Sequence, residues 1–176
     1  MKPKVFLNYA ILCFIWGTTW IILKKSLMGG TPPFFGSGFR FFLAGLILWA
    51  VILYKKERPS FEPLPLRLYI QFGLMNLTIS YGLTYWATQF IYSSLSAIIW
   101  SGFPLCVAVF SYFMLPNEPL TKKKIISLFL GTFGALLILK EGLKFEGDQI
   151  AFGILMVIIA VIIAGYPNVY LKRYSD

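Results

Sequence analysis

Histidine is absent from the 176 residues, and acidic residues number only seven. With no histidine, and with Cys13 and Cys106 in separate apolar runs, there is no cluster with metal-ligand spacing. The two cysteines read as unpaired core residues. Glu57, Glu62, Glu118, Glu141, Glu146, Asp148 and Asp176 all lie between apolar runs or at their ends. A proton-coupled antiporter of cations needs an embedded carboxylate that alternates between proton and cargo, and these runs offer none. They equally lack the nucleophile–base pair that intramembrane catalysis needs, so we expect neither an enzyme nor a catalytic residue. No Gly-x-x-x-x-Gly-Lys loop is present, so no cofactor or nucleotide site is expected.

What the chain has in abundance is apolar sequence. Hydrophobic residues make up 58% and charged residues 13%, against about 45–50% and about 25% in a soluble domain. The excess is gathered into runs separated by short charged or Pro/Gly-rich stretches, the pattern of membrane-crossing helices. Six runs are expected to cross: Val5–Leu23, Pro33–Leu53, Leu66–Ala87, Ser94–Leu115, Ile125–Leu139 and Ile150–Leu171. The fifth, with 15 residues, is short against the roughly 20 that a crossing needs. The first is too long for a signal peptide and ends in Lys24-Lys25 with no cleavage site, so it reads as a retained helix.

The net charge of +9 points to topology more than to nucleic acid, because the cations cluster at the ends of the runs. With the N-terminus cytoplasmic, eleven Lys and Arg fall inside, four fall outside, and Arg40 sits within the second run. Six crossings return the C-terminus to the cytoplasm and keep Lys172-Arg173 inside. A short internal repeat joins the two ends. At an offset of 148, Gly165 falls on Gly17, Leu171 on Leu23, and Lys172-Arg173 on Lys24-Lys25. The two runs are five crossings apart and so run in opposite directions, as in an inverted-topology repeat.

These features resemble the EamA-type transporters of the drug/metabolite transporter superfamily. The resemblance rests on Trp16-Gly17-Thr18-Thr19-Trp20 and on Pro33 with Arg40-Phe41 and Ala44. It continues through Tyr92-Ser93-Ser94, Pro104, the turn Leu115 to Thr121, Gly131, Gly134 and Gly147-Asp148. In the turn, Pro116-Asn117 replaces a glycine step. The resemblance implies an all-α membrane protein built on a five-plus-five inverted-repeat plan. Residues 1–142 would form the first five-helix repeat, and 143–176 the first helix of a second, incomplete one. The chain is then a fragment, a truncated product, or half of a two-chain or homodimeric transporter.

Candidate binding residues follow from polarity inside apolar runs. Arg40 lies seven residues after Pro33, about 10 Å into a helix rising about 1.5 Å per residue. It reads as an electropositive element in a substrate path, or as a cation that snorkels or ties helices together. Trp16 and Trp20 share a helix face, with Thr19 beside them. Asn76, Ser80 and Thr84 form a strip at i, i+4, i+8, and Tyr81, Tyr85 and Thr88 form another. Such strips line a cavity or make interhelical hydrogen bonds. Trp16, Thr19, Trp20, Arg40, Asn76, Ser80, Tyr81, Tyr85 and Trp100 are the substrate-binding candidates. Pro104 removes a helical bond to the Trp100 carbonyl and is the candidate hinge. Ser94, Ala97, Ser101, Ala108 and Ser111 read as a close-packing face. Glu118, near Lys122–Lys124, reads as a gate ion pair or a solvated turn.

The expectation is thus a multi-pass protein of the bacterial inner membrane. Its partners are the lipid bilayer and a small molecule, not nucleic acid or metal. It would act as a secondary transporter, an exporter of small organic metabolites by alternating access. The alternative is a truncated or accessory membrane subunit inactive by itself.

Overall fold

The computed structural model describes residues 3–116, 121–142 and 148–175, and among them every regular element is helical. Glu118 and most of the turn around it, and Gly147, lie outside the described residues.

α1 (Pro3–Met28) runs past the expected end at Leu23. Lys24 and Lys25 are good helix formers and do not stop it. It stops at Gly29-Gly30, where Gly30 takes φ +83°, a left-handed conformation that suits glycine. α2 (Pro33–Lys55) starts on a proline whose missing N–H falls in the first turn, where it has no intrahelical partner to lose. It closes with Lys56 in the left-handed region, its N–H bonded to the Leu53 carbonyl at 3.1 Å.

The third expected run is one rod over 63–87 with three windings: α3 (Pro63–Phe72), a π-helical stretch (Gly73–Ser80) and α4 (Tyr81–Ala87). The fourth run divides into α5 (Ser93–Trp100) and α6 (Phe103–Met114), with the break at Ser101-Gly102 and Pro104 second in α6. A proline is tolerated there because its N–H would be unpaired in the first turn. α7 (Lys122–Gly142) is longer at both ends than the expected 15 residues, and α8 (Asp148–Ser175) carries Pro167 inside it.

Among the described residues, four helices are long and apolar enough to cross a bilayer: Val5–Met28, Pro33–Lys55, Ser93–Met114 and Gln149–Tyr174. The chain is a multi-pass membrane protein. Phe6, Phe14, Phe35, Phe42 and Leu48 all present exposed side chains along α1 and α2. Exposure on that scale suits lipid and not water.

α8 is the axis of the fold. It packs against α3, the π stretch, α4, α5 and α6. Val157, Ala160 and Ala164 on it are fully buried, and Val157 and Val161 join Ala87, Ile91 and Leu95 in the core. In lipid, apolar transfer gives helices no reason to associate, so close packing must supply it. Two glycines of α8 allow that approach. A Cβ at Gly153 would lie 2.7 Å from Ile91 Cγ2, and one at Gly165 would lie 3.0 Å from Phe110 Cδ2 and 3.2 Å from Cys106 Cβ.

Candidate functional site

The π winding decides which side chains of the rod face which neighbour. Its hydrogen bonds span five residues instead of four, and the Tyr81 N–H bonds the Asn76 carbonyl. Asn76 and Tyr81, five apart, therefore line one cavity of about 450 Å³. Trp16 and Trp20 of α1 form another wall, and Trp100, Phe103 and Pro104 at the α5/α6 break form a third. Asn168 of α8 completes it. Its amide donates to the Ala164 carbonyl at 2.8 Å.

Trp100 is the hub of the aromatic wall. Its ring centroid lies 5.5 Å from Tyr81, 5.9 Å from Phe103 and 6.3 Å from Trp20. Its Nε1 donates to Thr84 Oγ1 at 3.2 Å, which fixes the plane of the indole. No charged side chain lines this cavity among the described residues. Its chemistry is that of an aromatic cage with amide and hydroxyl groups, suited to flat rings and to soft cations held over ring faces.

Thr19, Arg40 and Tyr85 are placed elsewhere. They line a second cleft of about 420 Å³ between α1, α2 and α4, with Leu23, Ser26 and Gly36. Arg40 is exposed there, its guanidinium 6.0 Å from the Phe41 ring centroid. Thr19 returns its hydroxyl to the Ile15 carbonyl at 2.7 Å. Phe41 meets Tyr81 edge-on at 5.0 Å, so one aromatic contact separates Arg40 from the main cavity.

Ser80 enters neither space. It is fully buried and donates to the Ala160 carbonyl of α8 at 2.7 Å. Thr84 donates to the Ser80 carbonyl and Thr88 to the Thr84 carbonyl, and the Thr88 and Ser96 hydroxyls pair at 3.2 Å. The expected strip of Asn76, Ser80 and Thr84 is thus divided. Asn76 faces the cavity, while Ser80 and Thr84 join helices. Tyr81 and Tyr85 are likewise parted into two clefts. Four-residue spacing presumes α-winding, which 73–80 does not have; Tyr81 and Tyr85 both lie in α4 and part because Tyr81 meets Trp100 while Tyr85 meets Gly36 of α2.

Sequence reasoning missed Phe103 and Asn168 of the cavity wall and the Lys24 tie, and it read the cavity-lining Ala97 and Ser101 as part of a packing face. Asn168 follows Pro167 inside an apolar run, and an amide so placed was the available signal. Lys24, counted only as a topology charge, donates to the Thr88 carbonyl at 2.8 Å and the Ile91 carbonyl at 2.9 Å, with Gln89 O at 3.5 Å. It ties α1 to the turn between α4 and α5. Nothing local in the sequence marks carbonyls more than sixty residues away.

Residues 4–140 match the EamA-like transporter family. An uncharacterised Bacillus subtilis transporter, YoaV, is 31% identical over 170 residues, covering 96% of this chain and 57% of the relative. An S-adenosylmethionine/S-adenosylhomocysteine transporter of Chlamydia muridarum is 32% identical over 178 residues, covering 96% and 52%. A chloroplastic WAT1-related protein of Arabidopsis thaliana is 31% identical over 148 residues, covering 82% and 35%. The chain spans about half the length of the first of these relatives. No solved structure matches it.

Proposed function

The chain belongs to the EamA-like transporter family, and from that premise we propose that it forms half or more of a secondary transporter of small organic metabolites in the inner membrane. Residues 1–142 make one five-helix repeat, and 143–176 open a second repeat of inverted topology. The rod over 63–87 and α7 then count as crossings beside the four long apolar helices, giving six, with both ends cytoplasmic. A further segment or a second chain completes the plan, which accords with the share of the relatives that this chain spans.

One observation carries the reading. Trp16, Trp20, Asn76, Tyr81 and Trp100 come from four elements and converge on one cavity beside a helix break. Trp16 is the twelfth residue of the Val5–Met28 span, near its middle. Broken helices around a midplane cavity are how alternating-access carriers are built. Pro104 lines the cavity at the break and is the hinge in this scheme. Arg40 and Tyr85 belong to a flanking cleft that contributes when the halves rock. The aromatic wall favours cargo with a planar ring or a soft cation, and the Chlamydia relative makes S-adenosylmethionine the first probe. Export is the proposed direction of transport.

The test is counterflow in proteoliposomes holding the whole protein, with labelled S-adenosylmethionine and a panel of amino acids, nucleosides and aromatic metabolites. We expect saturable flux of at least one of them, lost in Trp16→Ala and retained in Phe6→Ala. Well-folded protein that moves none of the panel, in either orientation, would sink the proposal in favour of an accessory subunit.

A further inference from the structure

The cleft of about 420 Å³ between α1, α2 and α4 holds what the lining of the aromatic cavity does not, a cation among hydroxyl groups. Tyr85 is its most telling residue. It is only 5% exposed, and its ring packs against Gly36 of α2, with Cε1 3.4 Å from where a Cβ would stand. Its hydroxyl nevertheless makes no hydrogen bond to another described residue. Buried polar groups are ordinarily paired. Among the described residues no sealed side-chain oxygen or nitrogen lacks a partner, so the Tyr85 hydroxyl opens onto the cleft that Tyr85 lines.

Two further donors share that space, Arg40 from α2 and Ser26 from α1. The Arg40 guanidinium lies 6.0 Å from the Phe41 ring centroid, a contact that takes up none of its N–H groups as hydrogen bonds. Thr19 is different, because its proton already goes to the Ile15 carbonyl at 2.7 Å. A guanidinium with two hydroxyl donors matches a carboxylate, which takes a bidentate pair from arginine and keeps lone pairs for the hydroxyls. Leu23, Phe39 and Leu43 supply apolar walls, which strengthen such a pairing over its strength in water. No described carboxylate lines the cleft.

The cleft and the cage are built on the same two helices. Thr19 adjoins Trp20 on α1, and Tyr85 follows Tyr81 by one turn of α4. One turn and a little more is about 6 Å, the reach of a short linker between a ring and a carboxylate. Phe41, edge-on to Tyr81 at 5.0 Å, joins the two spaces. We propose that this cleft is a carboxylate subsite, in which Arg40, Tyr85 and Ser26 hold the acid group of a cargo whose flat ring lies in the cage around Trp100. The cargo class narrows to ring-bearing molecules with a carboxylate. The word cargo rests on the transport reading; the subsite itself is read by binding, without flux.

The experiment uses the whole protein in phosphatidylcholine nanodiscs and compares acids with their decarboxylated counterparts by calorimetry. The pairs are tryptophan and tryptamine, phenylalanine and phenethylamine, and S-adenosylmethionine and decarboxylated S-adenosylmethionine. In at least one pair the acid should bind saturably and at least tenfold more tightly than the amine. That preference should fall below threefold in Arg40→Gln and stay within twofold of its original value in Arg58→Gln, which removes one exposed cation elsewhere. Should Arg40→Gln fail to fold, Tyr85→Phe replaces it, with at least a threefold loss of preference and unchanged affinity for the amine. Equal binding of acid and amine, saturable binding of none of the six, or a preference unchanged in the folded variants overturns the proposal. Acid-selective binding without counterflow leaves the subsite and removes the carrier; counterflow of amines as fast as acids leaves the carrier and removes the subsite.

Discussion

Trp100 shows how far a single residue was legible. It was a sequence candidate, four residues before Pro104 in an apolar run. The partner that orients it, Thr84, sits sixteen residues away on another helix and is set by the fold. Trp100→Phe keeps a ring but removes the 3.2 Å donation to Thr84. We expect flux to fall several-fold with little change in melting temperature. Trp100→Ala should fall more than tenfold, because it removes the surface shared by Tyr81, Trp20 and Phe103. Ser80 gives the opposite pattern. Its hydroxyl bonds α8 at 2.7 Å, so Ser80→Ala should lower stability by about 0.5–1.5 kcal/mol. Its apparent KM for cargo should not change. A shifted KM with unchanged melting would return Ser80 to the cavity. The sequence marked both residues as polar or aromatic within a span. It was silent on which side of the rod each would face.

At the scale of elements, helix existence was readable and helix winding was not. Each expected run is helical, because long apolar stretches bounded by Pro, Gly and Lys leave little alternative in lipid. The π stretch is encoded by no local periodicity, whereas the Ser101-Gly102 break lies just before Pro104, whose missing N–H marked the place in the sequence. Lys24 is the clearest element-scale contact. Lys24→Met keeps the aliphatic stem and strips the donor from carbonyls at Thr88 and Ile91. The expected loss is about 1–3 kcal/mol, the usual penalty for stranding acceptors of a charge-assisted bond, read as a lower melting temperature. The glycines of α8 and α2 make a second pair. Alanine in place of glycine favours a helix by up to about 1 kcal/mol. At Gly45 a Cβ meets nothing within 4 Å, so Gly45→Ala should be neutral or stabilising. At Gly153 it meets Ile91 Cγ2 at 2.7 Å, and Ile91 is only 2% exposed and cannot yield. Overpacking of that kind loses about 1–3 kcal/mol and outweighs the propensity gain. Equal melting temperatures for the two variants would contradict the packing of α8 against 87–91.

For the whole molecule, the repeat that linked the two ends makes a concrete demand. Gly17 and Gly165 correspond at the offset of 148. Gly165 is roofed by Phe110 and Cys106 of α6, yet nothing lies within 4 Å of a Cβ at Gly17. Of α1, Leu23 is buried near its end, whereas α8 buries Val157, Ala160, Val161, Ala164 and Val169. Two helices alike in sequence pattern thus sit in unlike surroundings. Under the proposed inverted repeat the asymmetry has one cause. The Gly17 face of α1 awaits the second-half counterpart of α6, as Gly165 receives α6 itself. Gly17→Leu tests this directly. The fold described has open space for the larger side chain, so the first-half packing should be undisturbed. In the whole protein the added side chain would occupy the seat of a helix. We expect a lower melting temperature and loss of flux, with cysteine pairs linking α6 to α8 still forming. Unchanged melting and flux would mean that this face of α1 meets lipid, and the inverted-repeat plan would lose its docking seat.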